Sequence, residues 1–394
     1  MREITDHPVR SCAILGADYL GLRPALKVAS GDRVRAGQVL LADRVHPQVV
    51  IVAPMAGKVQ SIDYGPRRGL SALILQGDGA VADAPAPLAP PDVTTRNTLR
   101  DILLSQGLWT AFRTRPFGRF PDPDGVPDAL FVTATDSAPW AVDPRDVLAG
   151  QQDDFQTGVE LLALLTEGPV YVCQSAGPTL VQETPRIHNA VFDGPHPAGL
   201  AGTHIQTLYP VGQGREVWTV ECQDVAAIGH LARTGYHDPR RIVAVTGRGT
   251  SDPALIRTIP GASLRDIVGA DVRILSGSQL TGREANWLGR FHRQITPLEH
   301  QKPRKWPPWL AHHKQTGGLR AIIPTAALER ALPPDILPVP LMRALSVADF
   351  EQAKRLGALC LIEEDMGLLS SLCTSGANYG VLLRQVLDAL EDAA

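Results

Sequence analysis

The stretch from 129 to 173 leaves this chain few choices. Ala129–Ala134, apolar but for Thr133, reads as a short buried strand. Asp143 and Pro144 then make a helix start: a side chain that accepts from free N–H groups, followed by a residue that has none to lose. Val147, Phe155, Val159, Leu162 and Leu165 form an apolar stripe, and Gly168 ends it. Residues 170–173 are a second apolar strand. Strand, crossover helix and strand together require parallel pairing, because a tight turn cannot join parallel neighbours. The spacing predicts one long helix from 144 toward 168 in an α/β layer. Such a layer receives phosphate on backbone amides through a glycine-rich turn after its first strand. Here that turn is Thr133-Ala-Thr-Asp-Ser-Ala-Pro-Trp140, without a glycine. The near-match Gly247-Arg-Gly249 lacks the third glycine and opens no helix, so NAD or flavin is not expected at this turn.

The flanks read differently. Residues 9–76 carry short strands between turn residues. Gly31-Asp-Arg-Val-Arg-Ala-Gly-Gln-Val-Leu40, followed by Ala53-Pro-Met-Ala-Gly-Lys-Val-Gln-Ser-Ile62, reads as a biotinyl/lipoyl-type barrel-sandwich. A carrier domain needs a lysine at its hairpin tip. The tip here is Asp43-Arg-Val-His-Pro47, so a scaffold is expected and a carrier is not. Residues 80–92 are an Ala/Pro linker. Thr95 caps a helix carrying Leu99, Ile102 and Leu103, which Gly107 stops. Residues 241–282 form a compact β unit. Within it, Ser263 caps a short helix and Asp266 stands at the capping-box position. Residues 300–323 are a basic Trp/Pro loop. The region 324–394 is helical, with helical periodicity over 348–357 and 379–390. The expected division is 1–79, 80–92, 93–240, 241–299, 300–323 and 324–394.

Composition narrows the function. Lys and Arg number 38 against 41 Asp and Glu, a formal charge of −3. That balance lacks the basic excess of a nucleic-acid binder. The cysteine count of five is odd, and no C-x-x-C occurs, which argues against a disulfide framework, a zinc knuckle or a Cys-ligated cluster. The histidines show no H-x-x-x-H. Segment 356–372 is interrupted by acids and is too short to span a bilayer. The opening residues lack a signal-peptide core, so a cytoplasmic, at most membrane-peripheral, protein is expected.

Six phrases carry a resemblance. They are Leu15-Gly-Ala-Asp-Tyr-Leu-Gly-Leu-Arg-Pro24, Leu108-Trp-Thr-Ala-Phe-Arg-Thr-Arg-Pro-Phe117, Val132-Thr-Ala-Thr-Asp-Ser137 and Gly194-Pro-His-Pro-Ala-Gly-Leu-Ala-Gly-Thr-His-Ile205. The others are Trp218-Thr-Val-Glu-Cys-Gln-Asp-Val-Ala-Ala-Ile-Gly229 and Leu332-Pro-Pro-Asp-Ile-Leu-Pro338. With the order of the units, they make the chain resemble the complex I flavoprotein subunit family, and within it the NqrA subunits of sodium-translocating NADH:quinone reductases (Na+-NQR). The resemblance implies a multi-domain α/β fold: barrel-sandwich domain, Rossmann-like α/β domain, β-grasp ligand-binding module and helical C-terminal region. It implies a peripheral subunit on the cytoplasmic face of the inner (plasma) membrane, without its own redox cofactor, that contributes to quinone reduction and complex assembly. Ubiquinone would be the bound substrate, with FMN, FAD, riboflavin and iron–sulfur clusters in partner subunits. The alternative is a stand-alone FMN/NADH-binding dehydrogenase on the same fold. The chain departs from the family in three places. Residues 1–10 lack a Gly-Leu-Asp-Leu-Pro-Ile opening that would add a strand. The region 298–320 is shortened, and a Cys-Pro-Gly-Lys turn appears as Cys373-Thr-Ser-Gly376.

No catalytic or metal residue is expected. Trp109, Arg113, Arg115, His196 and His204 are the candidate quinone or partner contacts, expected around one cavity. Arg113 and Arg115 stand among Trp109, Phe112 and Phe117, where a cation–π ladder would form. Lys302, Arg304, Lys305, Trp306 and Trp309 are the candidate docking loop, since indoles and cations together suit an anionic interface. Cys373 reads as a small buried hydrophobe, and Glu363, Glu364 and Asp365 as a solvated face.

Overall fold

A computed structural model describes residues 3–65, 68–77, 89–212, 214–250, 252–269, 272–298 and 321–393. The first unit is a barrel-sandwich of two antiparallel sheets. One orders Ser11–Leu15, Leu70–Gly77, Gly57–Tyr64 and Arg33–Val34; the other orders Pro24–Leu26, Val39–Asp43 and Val50–Val52. Cys12, Ile14, Leu40, Leu41, Ile51, Val59, Leu73 and Leu75 fill the space between them. At the hairpin tip Asp43 accepts from Arg23 N at 2.8 Å and His46 N at 3.1 Å, so the tip is held by a carboxylate. Most of the expected linker lies outside the described residues.

The second unit is a sheet ordered Ile187–Val191, Val170–Gln174, Ala129–Ala134, Val217–Glu221 and Arg113–Arg115. The first four strands are parallel and the last is an antiparallel edge. Helices Gln152–Leu162 and Cys222–Thr234 cross closely on one face. Gly158 and Gly229 permit it: a Cβ on Gly158 would lie 2.1 Å from Val225 O, and one on Gly229 1.8 Å from Asp154 O. The single helix expected from 144 is instead two, Pro144–Val147 and Gln152–Leu162. Gly150, at φ +79°, takes a left-handed turn between them. Thr95 does cap Arg96–Ser105, in a reciprocal box with Thr98.

The third unit is a six-stranded sheet ordered Ile4–Asp6, Ala254–Thr258, Arg241–Val245, Gln294–Leu298, Arg273–Ser276 and Arg283–Glu284. Its edge strand comes from the chain's opening, which pairs parallel with Ala254–Thr258 although its sequence departs from the family's strand-adding segment. Ser263 caps Leu264–Val268, but Asp266 accepts from Arg10 N at 3.0 Å and does not close the box. The fourth unit packs Pro338–Ser346, Phe350–Arg355, Gly367–Leu372 and Tyr379–Asp392 around Leu341, Met342, Met366, Leu383 and Leu387.

Ionic contacts tie the units together. Asp224, 1% exposed in the first turn of Cys222–Thr234, pairs with Arg241 and with Arg290 at 2.9 Å. Burial pushes its carboxyl up, but the two guanidinium groups outweigh that and hold it below its ordinary value. Arg119 reaches Asp388 at 2.9 Å and Glu391 at 2.5 Å on the last helix. Removing one partner of a buried pair strands the other charges. Asp224→Ala should therefore cost about 3–5 kcal/mol of unfolding free energy in urea titrations. Arg240→Ala, which breaks the more exposed pair with Asp238, should cost less than about 1 kcal/mol.

Candidate functional site

The parallel sheet has one point where strand order reverses. Ala129–Ala134 leads outward to Val170–Gln174 on one side, while Val217–Glu221 returns on the other. The two strands end level, with Thr133 in register with Glu221. Crevices at the carboxyl ends of such strands are the usual ligand sites of open α/β sheets. A cavity of about 680 Å³ opens there, walled by all four units.

Two acids stand at the strand ends, Asp136 and Glu221. Arg293, from the third unit, spans them at 3.2 Å and 2.6 Å. Burial raises the Glu221 carboxyl to about 7 despite Arg293, with Glu364, Asp224 and Asp136 adding to the rise. The Arg113 guanidinium carbon stands over Phe291, 3.8 Å from the ring centroid. Two histidines face the same space. His196 Nδ1 is 3.0 Å from Ser137 Oγ, which accepts from Gly199 N at 2.7 Å. His292 Nδ1 is 2.7 Å from Ser276 Oγ, which accepts from Gly289 N at 2.8 Å. Burial lowers both imidazoles, His292 to about 4.

Three family models match the chain: the NqrA N-terminal barrel-sandwich hybrid domain over residues 3–78, the NqrA second alpha/beta domain over 94–237, and the NQRA C-terminal domain over 242–286. The NqrA protein of the Na(+)-translocating NADH-quinone reductase of Neisseria meningitidis serogroup C is 39% identical over 426 residues, covering 98% of this chain and 95% of the relative. This chain belongs to the NqrA family. The Pseudomonas aeruginosa PAO1 protein of the same name is 40% identical over 98% of this chain and 94% of its own. Among solved structures, the NAD+-reducing nickel–iron hydrogenase in its H2-reduced state overlaps 77% of this chain and 62% of that chain. The identity is 13% and the TM-score 0.40. The family read from the sequence phrases is the one these matches give.

Of the five residues expected around one cavity, this NqrA-family chain brings two there, Arg113 and His196. Trp109 is fully buried. Its Nε1 donates to Pro121 O at 2.9 Å, and its ring packs against Phe112 and Trp218. His204 is also fully buried, with Nε2 2.9 Å from Ala198 O and its ring 4.3 Å from Phe192. Arg115 points under the fourth unit, 3.6 Å from Glu364 and 4.0 Å from Asp365. The expected cation–π ladder does not form. Trp109 and Phe112 precede the edge strand and turn into the core, and the ring under Arg113 is Phe291, remote in sequence.

The acidic run is not a solvated face. Asp365 is 1% exposed, accepts from Ile362 N at 2.8 Å, and is raised by burial to about 7. Glu363 is paired with Arg384 at 2.7 Å. Cys373 is buried, its thiol donating to Ser375 Oγ at 3.1 Å. Lys302, Arg304, Lys305, Trp306 and Trp309 lie outside the described residues. Among the described residues no group of three or more His, Cys, Asp or Glu is placed to hold a metal ion, and no helix is long and apolar enough to cross a membrane.

Sequence reasoning missed Asp136, Glu221, Phe291, His292 and Arg293. For the two acids a signal existed: each follows an apolar parallel strand at its carboxyl end. For residues 291–293 none did, since they meet the sheet only through the tertiary fold.

Glu221 titrates higher in the fold, at about 7, than the 4.5 of a free glutamate, so the native state binds its proton more tightly. The stability this gives is present below about pH 4.5 and is lost as pH rises through about 7. Glu221→Gln removes that dependence. From about pH 4.5 to 8 the variant should gain on the order of 3 kcal/mol relative to the parent, read from urea unfolding at each pH.

Proposed function

We propose that this chain is the peripheral, cofactor-poor NqrA component of a Na+-translocating NADH:quinone reductase. It contributes to quinone reduction and to assembly of the complex on the cytoplasmic face of the membrane. Identity of 39–40% across 98% of the chain with proteins of that name carries the reading. NADH oxidation, the flavins, the iron–sulfur cluster and Na+ passage belong in this reading to partner chains. The parallel sheet is read as Rossmann-like and the third unit as a β-grasp module, with the six-part division set out above. Of the five candidate contacts two, Arg113 and His196, line the cavity, and ubiquinone as a bound substrate stays part of this reading.

Two observations support the cofactor-poor reading. The 133–140 turn lacks the glycines that let a phosphate approach backbone amides. The crevice where a flavin phosphate would enter such a fold is bridged by Asp136, Arg293 and Glu221. Both count against the stand-alone flavin dehydrogenase. An affinity-tagged chain drawn from detergent-solubilised membranes should bring down flavin-bearing and membrane-embedded subunits with Na+-stimulated NADH:quinone reductase activity. The purified chain alone should be colourless. Recovery of a solitary, yellow chain that oxidises NADH reverses the assignment.

The basic Trp/Pro loop is proposed as the docking element. Each cation near an anionic surface adds about 1 kcal/mol, and salt screens it. Replacing Lys302, Arg304, Lys305, Trp306 and Trp309 together by Ser should release the folded protein from the complex at moderate salt. Retention through those washes at the parent level places docking elsewhere.

A further inference from the structure

Where a carrier domain would bear its lysine, the tip of this barrel-sandwich bears Asp43-Arg-Val-His-Pro47. Asp43 is buried there. One of its oxygens accepts from Arg23 N at 2.8 Å and the other from His46 N at 3.1 Å, which fixes the shape of the tip. The strand pairing sets Pro24 opposite Asp43, and one step on Arg44 N donates to Arg23 O at 2.8 Å. Arg23 and Arg44 therefore stand directly across from each other, where side chains lie side by side on one face. Both are exposed, and Val45 next to them is 55% exposed. Like charges at opposed positions cost stability, so the fold gains nothing from this pair.

The positive excess extends over the unit. Arg10, Arg23, Lys27, Arg35, Arg44 and Lys58 are exposed, and among the described residues none of their side chains makes a hydrogen bond, ion pair or ring contact. The exposed acids between residues 9 and 77 are Asp32 and Asp63, and Asp32 accepts from Ala29 N at 2.8 Å. The other two acids of that stretch are buried and engaged: Asp43 at the tip, and Asp18, which pairs with Arg283 of the third unit. Cations thus outnumber acids on this surface even when both exposed acids are counted in full. The arginines of the second unit are used differently. Each is held by a carboxylate, a hydroxyl, a backbone carbonyl or an aromatic ring. The barrel-sandwich leaves its own cations for something outside the chain.

We infer that this tip docks on an anionic phospholipid surface, with Arg23 and Arg44 on headgroup phosphates and Val45 entering the headgroup layer. A protein partner needs a packed apolar core at its interface. One valine among Arg23, Arg44, Pro47 and Gln48, all exposed, offers none. A headgroup layer makes no such demand. It attracts each cation near its surface and takes up a protruding apolar side chain. The inference rests on the membrane-peripheral reading and says what the chain meets there besides other subunits. Its failure leaves the subunit assignment standing, because lipid vesicles contain no partner chain.

Co-sedimentation of the full chain tests it, with vesicles of phosphatidylcholine alone and of phosphatidylcholine mixed with phosphatidylserine. The chain should bind the mixed vesicles saturably and phosphatidylcholine at least roughly tenfold more weakly, and added salt should release it. Arg23→Ser with Arg44→Ser should weaken binding to the mixed vesicles by roughly tenfold or more, the scale of two cations at an anionic surface. Val45→Trp should strengthen it, because indole rings settle at the lipid–water boundary. The loss from the double substitution should persist in a chain whose Lys302, Arg304, Lys305, Trp306 and Trp309 are all replaced by Ser, which separates the tip from the loop. Circular dichroism establishes that each variant is folded. No preference for the mixed vesicles, or unchanged binding in the folded double variant, overturns the inference. Binding that vanishes with the loop substitutions alone overturns it too.

Discussion

Four consecutive residues, 290–293, hold the molecule together. Arg290 gives its guanidinium to Asp224 in the second unit and its backbone N–H to Asp18 in the first, at 2.8 Å. Phe291 lies under Arg113 of the edge strand. His292 takes the Ser276 hydroxyl within its own sheet, and Arg293 spans the ends of two parallel strands. A strand of the third unit follows directly, so the segment cannot shift without moving that sheet. Asp18, Asp224 and Arg290 at this junction are buried, where a pair is worth keeping only if both partners stay in place. Domains joined in this way behave as one body, since separating them leaves charges stranded in apolar surroundings.

That constraint explains which features could be read from the sequence. The strands at 129 and 170, the Thr95 cap, the Ser263 cap and the C-terminal helices are local matters of periodicity and capping, and they stand where residue spacing puts them. Gly150 was readable as a breaker, yet the apolar stripe running through it suggested one helix. The cavity is different in kind. His196 is announced by the Gly-Pro-His-Pro run around it. Phe291, His292 and Arg293 sit in a loop with no local pattern and acquire meaning only when the third sheet docks. Trp109 looked like a site residue because it neighbours arginines, but strand alternation sends Arg113 and Arg115 to one side of the edge strand while Trp109 and Phe112 enter the core. Asp365 looked solvated because it follows two other acids, while its own side chain turns inward to its helix start.

The switch point of the parallel sheet shows how one architecture is put to a different use. A glycine-rich turn would leave backbone amides bare for phosphate. Here the turn carries Thr133, Thr135 and Asp136 and no glycine, and a salt-bridged arginine from another unit crosses the strand ends. The crevice persists as a space, walled by side chains from all four units. Such a site depends on the mutual placement of units more than on any single loop.

The opening strand has a bearing on how this chain is made. Ile4–Asp6 is synthesised well ahead of its pairing partner Ala254–Thr258, which is about 250 residues behind. The six-stranded sheet therefore stays unfinished through most of synthesis, and the barrel-sandwich between them has ample time to form alone. Until the front of the chain returns, one side of Ala254–Thr258 presents unpaired backbone groups, which another chain's strand can take. A variant without Ile4–Asp6 would carry that open edge permanently, and its failure would be one of association between copies and not of loss of any core.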